Sequence, residues 1–225
     1  MGSSFAGEST GEPLRARHRP AEFATLAAAE TAVRTSLILI RHGETDWNRE
    51  GRLQGHKDVP LSDVGQDQAR NLAQRLGDEF AGSEVLVFTS DLLRARQTAA
   101  PLVKRLKADV IGAPYLRERS FGVAEGFTWE ELRKRWPEET RAHRSGKNKD
   151  AYPDCEPVAE FRSRVMAGLR RIRRKADGRL AFAVTHGGAI KVVLKEILGP
   201  KTFMIPNAAV FRLAYHDGRW QLVSR

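Results

Sequence analysis

Three apolar runs in this 225-residue chain each end in polar side chains that could handle an anion. Leu37-Ile38-Leu39-Ile40 runs into Arg41-His42-Gly43-Glu44-Thr45. Val85-Leu86-Val87-Phe88 runs into Thr89-Ser90-Asp91, with Arg94 and Arg96 close behind. Leu180–Val184 runs into Thr185-His186-Gly187-Gly188. Short apolar runs of this kind read as buried strands, and open α/β sheets bind ligands at the carboxyl ends of their strands. Two histidines and at least two arginines at one edge repel one another and lose hydration, so the arrangement makes sense around a dianion. A phosphoryl group fits best, because a guanidinium offers a planar fork to paired phosphate oxygens. Helix N-termini expected after Ser90 and Gly187 would add N–H donors. Glycine directly after each histidine is expected to let the backbone approach the ligand.

The elements that must position these residues follow from periodicity. Leu61–Phe80 reads as a helix capped at Ser62, with Ala69, Leu72, Ala73, Leu76 and Phe80 on one face. A second helix is expected over Asp91–Lys107 and a short strand at Val110–Ile111. In Val158–Ala176, Val158, Phe161, Val165, Leu169 and Ile172 step by 3, 4, 4 and 3, the pattern of an amphipathic helix. Gly188–Leu198 reads as a further helix, and Ala209–Tyr215 with Trp220–Val223 as a hairpin turning at Asp217-Gly218. Residues 122–156 are polar, with Trp129, Leu132 and Trp136 at helical spacing before a loop rich in Lys, Asn, Asp and Pro. Buried strands alternating with helices predict an α/β fold, a three-layer α/β/α sandwich around a mostly parallel sheet. Residues 122–157 would form a short cap insertion. Residues 1–35 read as a flexible leader with a short helix near Ala21–Ala32.

The strand ends belong to longer motifs. These are Arg41-His42-Gly43-Glu44-Thr45-Asp46-Trp47-Asn48, Arg52-Leu53-Gln54-Gly55 and Leu61-Ser62-Asp63-Val64-Gly65, followed by Ser90-Asp91-Leu92-Leu93-Arg94-Ala95-Arg96-Gln97-Thr98-Ala99. Leu116-Arg117-Glu118-Arg119-Ser120-Phe121-Gly122 and Thr185-His186-Gly187-Gly188 complete the series. In this order they resemble the histidine phosphatase superfamily, and within it the cofactor-independent broad-specificity phosphatases, over one phosphoglycerate mutase-like catalytic domain spanning 36–225. The resemblance implies that His42 is a nucleophile that becomes a phosphohistidine. It implies that Arg41, Arg94 and His186 bind the phosphoryl oxygens, and that Glu118 is the general acid. Gly43, Thr45, Asn48, Gln54, Gly55 and Gly187 stand where phosphate or substrate contacts are expected. No metal and no cofactor are implied, since arginine and histidine supply the positive charge. Chemistry agrees on its own terms: neutral imidazole has a free ring nitrogen for in-line attack, and phosphoryl transfer needs mainly positioning and electrostatic stabilisation. Arg96 competes with Arg94, but two helical steps turn it about 200° away. Glu125 and Glu44 compete with Glu118, and His56, next to Gly55, could reach the substrate.

Phosphatase, mutase and inactive binder remain as readings. Glu118 and His186 stand 68 positions apart, a shorter stretch than the one that closes over the site in the mutases. A more open cap admits water and favours hydrolysis of small phosphorylated metabolites. The alternatives are a cofactor-dependent phosphoglycerate mutase and an inactive phosphate- or polyanion-binding relative. Cys155-Glu156-Pro157 stands where many relatives carry Gly-Glu-Ser, and Lys191 where an arginine often follows the second histidine.

Composition narrows the partners. With 41% hydrophobic and 29% charged residues the chain can bury a core, and its apolar runs are far shorter than the roughly 20 residues of a membrane span. The single cysteine, Cys155, excludes an internal disulfide and a multi-cysteine zinc site. It fits a reducing, cytoplasmic setting. Net charge is +10, and residues 133–179 concentrate it, with 15 Lys/Arg against 7 Asp/Glu. The arginines of Val158–Ala176 lie mostly off its apolar stripe, as on a solvated face, and no aromatic residues interleave with them for base stacking. A small phosphorylated substrate is the expected partner, nucleic acid and membrane are not, and a homo-oligomer stays open.

Overall fold

The structure, a computed structural model, describes residues 35–225. The expected leader lies outside the described residues apart from Thr35, as does the short helix near Ala21–Ala32. In chain order the elements are β1 (Thr35–Arg41), α1 (Asp46–Arg49), α2 (Asp63–Glu79), β2 (Val85–Thr89), α3 (Leu93–Leu106) and β3 (Asp109–Gly112). After 3₁₀ turns at Pro114–Leu116 and Gly122–Ala124 come α4 (Trp129–Arg135), α5 (Pro137–Ser145) and α6 (Val158–Ala176). β4 (Leu180–Thr185), α7 (Gly187–Leu198), β5 (Val210–His216) and β6 (Arg219–Ser224) complete the fold. No helix among the described residues is long and apolar enough to cross a membrane.

The sheet runs β3-β2-β4-β1-β5-β6, with β1 to β4 mutually parallel and the β5–β6 hairpin antiparallel at one side. Alternation along the strands feeds two cores. Leu37, Leu39, Leu86, Phe88, Ala181 and Ala183 pack with Phe161, Val165, Leu169 and Ile172 of α6 and Ile190, Val193 and Leu194 of α7. Ile38, Ile40, Val85, Val87, Phe182 and Val184 pack on the opposite face with Leu72 and Leu76 of α2 and Ala95, Ala99 and Leu102 of α3. Burying one such Leu, Ile or Phe contributes roughly 1.5–3 kcal/mol before entropy is charged against it. The three-layer α/β/α sandwich is therefore what the continuous apolar strands require.

The neighbouring strands β1 and β4 hand the chain to opposite faces. The chain leaving β1 feeds α2 on one face, whereas β4 feeds α7 on the other. Their C-terminal ends open a crevice, the switch point where α/β sheets hold ligands. The His42 N–H bonds the Thr185 carbonyl at 2.9 Å, so the two histidine-bearing ends are tied at this crevice.

The segment expected as a Lys- and Pro-rich loop holds a second helix, α5. Its sequence is too polar for periodicity to show, and of its nine residues only Thr140 and His143 are buried. The readable signal is Pro137 in its first turn and left-handed Gly146 just past its end. Together with α4 it surrounds a small core of Ala124, Leu132 and Tyr152, edged by Phe127 and Trp136 at 5.5 Å between ring centres. Backbone bonds from Leu53 N–H to the Phe127 carbonyl (3.0 Å) and from Gly126 N–H to the Leu53 carbonyl (2.7 Å) fasten this cap to the loop carrying Gln54 and Gly55.

Candidate active site

His42 follows β1 directly, and its side chain is buried. Nδ1 lies 2.6 Å from the Gly43 carbonyl, which can only accept, so Nδ1 carries the proton and Nε2 keeps a free lone pair. Burial holds the imidazole well below the usual histidine range, and nearby Arg94 and Arg41 push the same way. The Asn207 amide donates to the His42 carbonyl (3.2 Å), the Gly43 carbonyl (3.1 Å) and Asn48 Oδ1 (3.0 Å), pinning the loop that orients the ring. Asn207 carries no motif that sequence reading could have seized, and it lies some 160 residues from the groups it holds.

His186 faces His42 with ring centres 5.2 Å apart. It is fully buried and also held well below the usual histidine range, first by desolvation and then by Arg94, His42 and Arg41. Nε2 lies 2.8 Å from the buried Ser90 hydroxyl. Arg94, on the first turn of α3, is 1% exposed and donates Nη1 to the Lys57 carbonyl and Nη2 to the Gly55 carbonyl, both at 2.9 Å. Burial pulls it down to about 10, despite the pull of Glu118, Asp58 and Glu125, so it stays charged at neutral pH. Arg41 donates Nη1 to the Ile205 carbonyl and is lowered by burial, against the opposing pull of Glu118. Arg96, the competitor, is exposed on the outer side of α3.

Among the described residues, four buried side-chain polar atoms have no hydrogen-bond partner: Arg41 Nε, Arg94 Nε, His186 Nδ1 and Gln54 Oε1. All four belong to residues singled out from the sequence. An unmet buried polar group costs about 1–3 kcal/mol, so such a concentration signals groups kept for a ligand.

Glu118 reaches the same crevice from the turn after β3. Its Oε2 accepts the Gly188 N–H of α7 at 2.8 Å and its Oε1 accepts the Arg119 N–H at 2.9 Å. A Cβ on Gly188 would fall 2.1 Å from Glu118 Oε1, so this approach requires glycine there. Arg164 of α6 anchors the segment from behind. It pairs through Nε and Nη2 with Glu156 at 2.8 and 2.7 Å, and donates to the carbonyls of Tyr115, Arg117 and Glu118 at 3.1–3.2 Å. Its neighbours on the helix surface gave the sequence no reason to separate it from the solvated arginines. Glu125 and Glu44 are engaged elsewhere. Glu125 Oε1 accepts from Ser120, Phe121 and His56, and Glu44 Oε1 accepts from Ser62.

The remaining sequence-selected residues form the frame. Gly43 donates its N–H to Thr98 Oγ1 (2.9 Å), and its missing side chain makes room for the Gly65 backbone: a Cβ would lie 2.6 Å from the Gly65 carbonyl. The start of α2 therefore takes the space a side chain would need. A Cβ on Gly187 would meet Arg41 only at ordinary contact distance. Thr45 caps α1 in a reciprocal box with Asn48, whose Oδ1 accepts from the Thr45 N–H and hydroxyl at 3.1 Å each. Gly55 adopts a left-handed φ of 49° and offers its carbonyl to Arg94. His56 donates Nε2–H to the Glu118 carbonyl at 2.8 Å. Among the described residues no group of three or more His, Cys, Asp or Glu could hold a metal ion.

Fold and site define an α/β enzyme with a cationic, imidazole-bearing crevice at the carboxyl ends of its parallel strands. Residues 37–225 match the histidine phosphatase superfamily (branch 1). The chain is 35% identical over 189 residues to the metal-independent phosphoserine phosphatase of Arabidopsis thaliana, covering 83% of this chain and 79% of that one. It is 38% identical over 191 residues to phosphoglycerate mutase-like protein 4 of the same plant, covering 83% and 82%. Among solved structures it is similar to Bacillus stearothermophilus YhfR, with a TM-score of 0.77 at 26% identity, covering 84% of this chain and 95% of that one. The chain belongs to the histidine phosphatase superfamily, and is a phosphoric monoester hydrolase of the histidine phosphatase type.

Proposed function

We propose that this protein is a metal-independent phosphatase that hydrolyses small phosphorylated metabolites through a phosphohistidine on His42. The observation that carries this reading is the set of unpartnered buried atoms on Arg41, Arg94 and His186 around a neutral His42. In the first step His42 Nε2 attacks phosphorus in line, the P–O ester bond breaks, and Glu118 gives its proton to the departing oxygen. Arg41 Nε–H, Arg94 Nε–H and His186 Nδ1–H take the phosphoryl oxygens, where charge spreads in the transition state. For His186 to donate from Nδ1, its Nε2 must accept the Ser90 hydroxyl proton, which the 2.8 Å contact allows. Water then attacks phosphorus, Glu118 as carboxylate takes its proton, and the P–N bond breaks to release phosphate and His42. The single, half-buried Cys155 fits a cytoplasmic setting for such an enzyme.

The test is a panel of phosphorylated metabolites and a generic aryl phosphate, with chelator present, scored for inorganic phosphate and for isomerised product. Hydrolysis is expected throughout, and His42→Ala should lower it by about 10⁴-fold or more and remove acid-labile phosphate from the protein. Full loss of activity with chelator, retained labelling in His42→Ala, or isomerised product in excess of phosphate would each overturn the reading.

A further inference from the structure

A second basic cavity lies outside the catalytic crevice. It has a volume of about 420 Å³, opens to solvent, and is lined by His56, Pro114, Tyr115, Arg117, Arg164 and Arg171. That volume suits a small ligand. None of His42, Arg41, Arg94, Glu118 and His186 lines it. One wall is the turn leading to Glu118, and the other is α6, whose Arg164 and Arg171 stand two helical turns apart on one face.

The three arginines differ in what they have left to offer. Arg164 is spent on Glu156 and on three backbone carbonyls. Arg117 gives Nε and Nη2 to Asp91 at 2.7 and 2.5 Å, which leaves Nη1 uncommitted among the described residues. Arg171 is exposed and lies over Tyr115, with its guanidinium 5.7 Å from the ring centre, and no described carboxylate pairs with it. A guanidinium near an aromatic face keeps its in-plane N–H groups for a further acceptor. His56 links this cavity to the catalytic segment, since its Nε2–H is held by the Glu118 carbonyl.

We propose that this cavity is an anion site distinct from the phosphoryl pocket, holding a phosphate-type oxyanion between Arg171 and Nη1 of Arg117. The oxyanion is either a free ion or a second phosphate on the substrate itself; only the latter rests on the phosphatase reading above. Arginine is suited to it because a guanidinium recognises paired oxyanion oxygens. The arginine-rich face of α6 thus contains one member with a binding role at the cavity wall.

Nitrogen-15-labelled full-length protein titrated with inorganic phosphate tests the site directly through the arginine Nε–H signals. Arg171 and Arg117 should shift saturably, at concentrations different from those that move Arg94. In Arg171→Gln the Arg117 response should need about tenfold more phosphate, with the Arg94 response unchanged. Motionless Arg171 and Arg117 signals, or an Arg117 response indifferent to the substitution, would overturn the proposal. Kinetics with alkyl bisphosphates of increasing spacer length, against the matching monophosphates, separate the two sources. A substrate-borne phosphate gives one favoured spacer, about tenfold better in kcat/KM, and Arg171→Gln abolishes that preference. No favoured spacer alongside saturable Arg171 shifts identifies a free ion. Failure to turn over any ester would count against the phosphatase reading alone, because the titration does not depend on turnover.

Discussion

His42 and His186 are wholly buried without a carboxylate to balance a proton, and this sets how the protein responds to acid. Burial and the two arginines lower both imidazoles relative to their unfolded values near 6.5. Between the folded and unfolded values the unfolded chain binds more protons, so stability is full above about pH 6.5 and falls as pH drops below it. Each histidine contributes a slope of about 1.4 kcal/mol per pH unit across that window. Thermal unfolding from pH 7 to 5 should show a falling midpoint, and His186→Gln should remove part of the slope; an unaltered slope would mean that His186 already carries its proton when folded. At this scale the sequence disclosed the types: both histidines, both arginines and Glu118 stand in short motifs beside apolar runs. It did not disclose that Asn207 shares the Gly43 carbonyl with His42, or that Arg164 holds the Glu118 turn, because those contacts join distant segments.

At the scale of elements, Gly43 and Gly65 let β1's exit loop pack against the start of α2. β1 leads into a loop pressed against the start of α2, where a Cβ on Gly43 would stand 2.6 Å from the Gly65 carbonyl and one on Gly65 would stand 2.0 Å from the Glu44 carbonyl. Backbone cannot swing aside as a flexible side chain can, so Gly43→Ala should cost roughly 1–3 kcal/mol, read as a lowered unfolding midpoint. Gly112→Ala, with nothing near its Cβ, is the control and should be close to neutral. Equal stability of the two variants would show that α2 can retreat from β1. The central strands were legible as continuous apolar runs and the long helices by their period; Val158–Ala176 was predicted to the residue. α5 was not, because a helix that buries two polar side chains has no apolar stripe to read.

Across the whole molecule, the charge of +10 should act on approach more than on chemistry. A dianionic substrate is drawn from a distance set by the Debye length, about 30 Å at 0.01 M salt and about 8 Å at 0.15 M. Raising salt over that interval should lower kcat/KM for a dianionic aryl phosphate while leaving kcat nearly constant; a kcat/KM indifferent to salt would confine the excess charge to local pairs. The sequence by itself determined the alternation of buried strands and helices, hence the layered fold, and the residue types at three strand ends, hence the family. Both follow from local order: periodicity records which face is buried, and motifs record short spacings. Only the tertiary structure decided which donors remain unspent. Arg164 and Arg171 are the same residue on the same helix face and line the same cavity, yet one is consumed by Glu156 and backbone carbonyls while the other has no described carboxylate partner. That difference lies in partners contributed by other segments, and hydrogen-bond supply and demand balance only once the whole chain has been brought together.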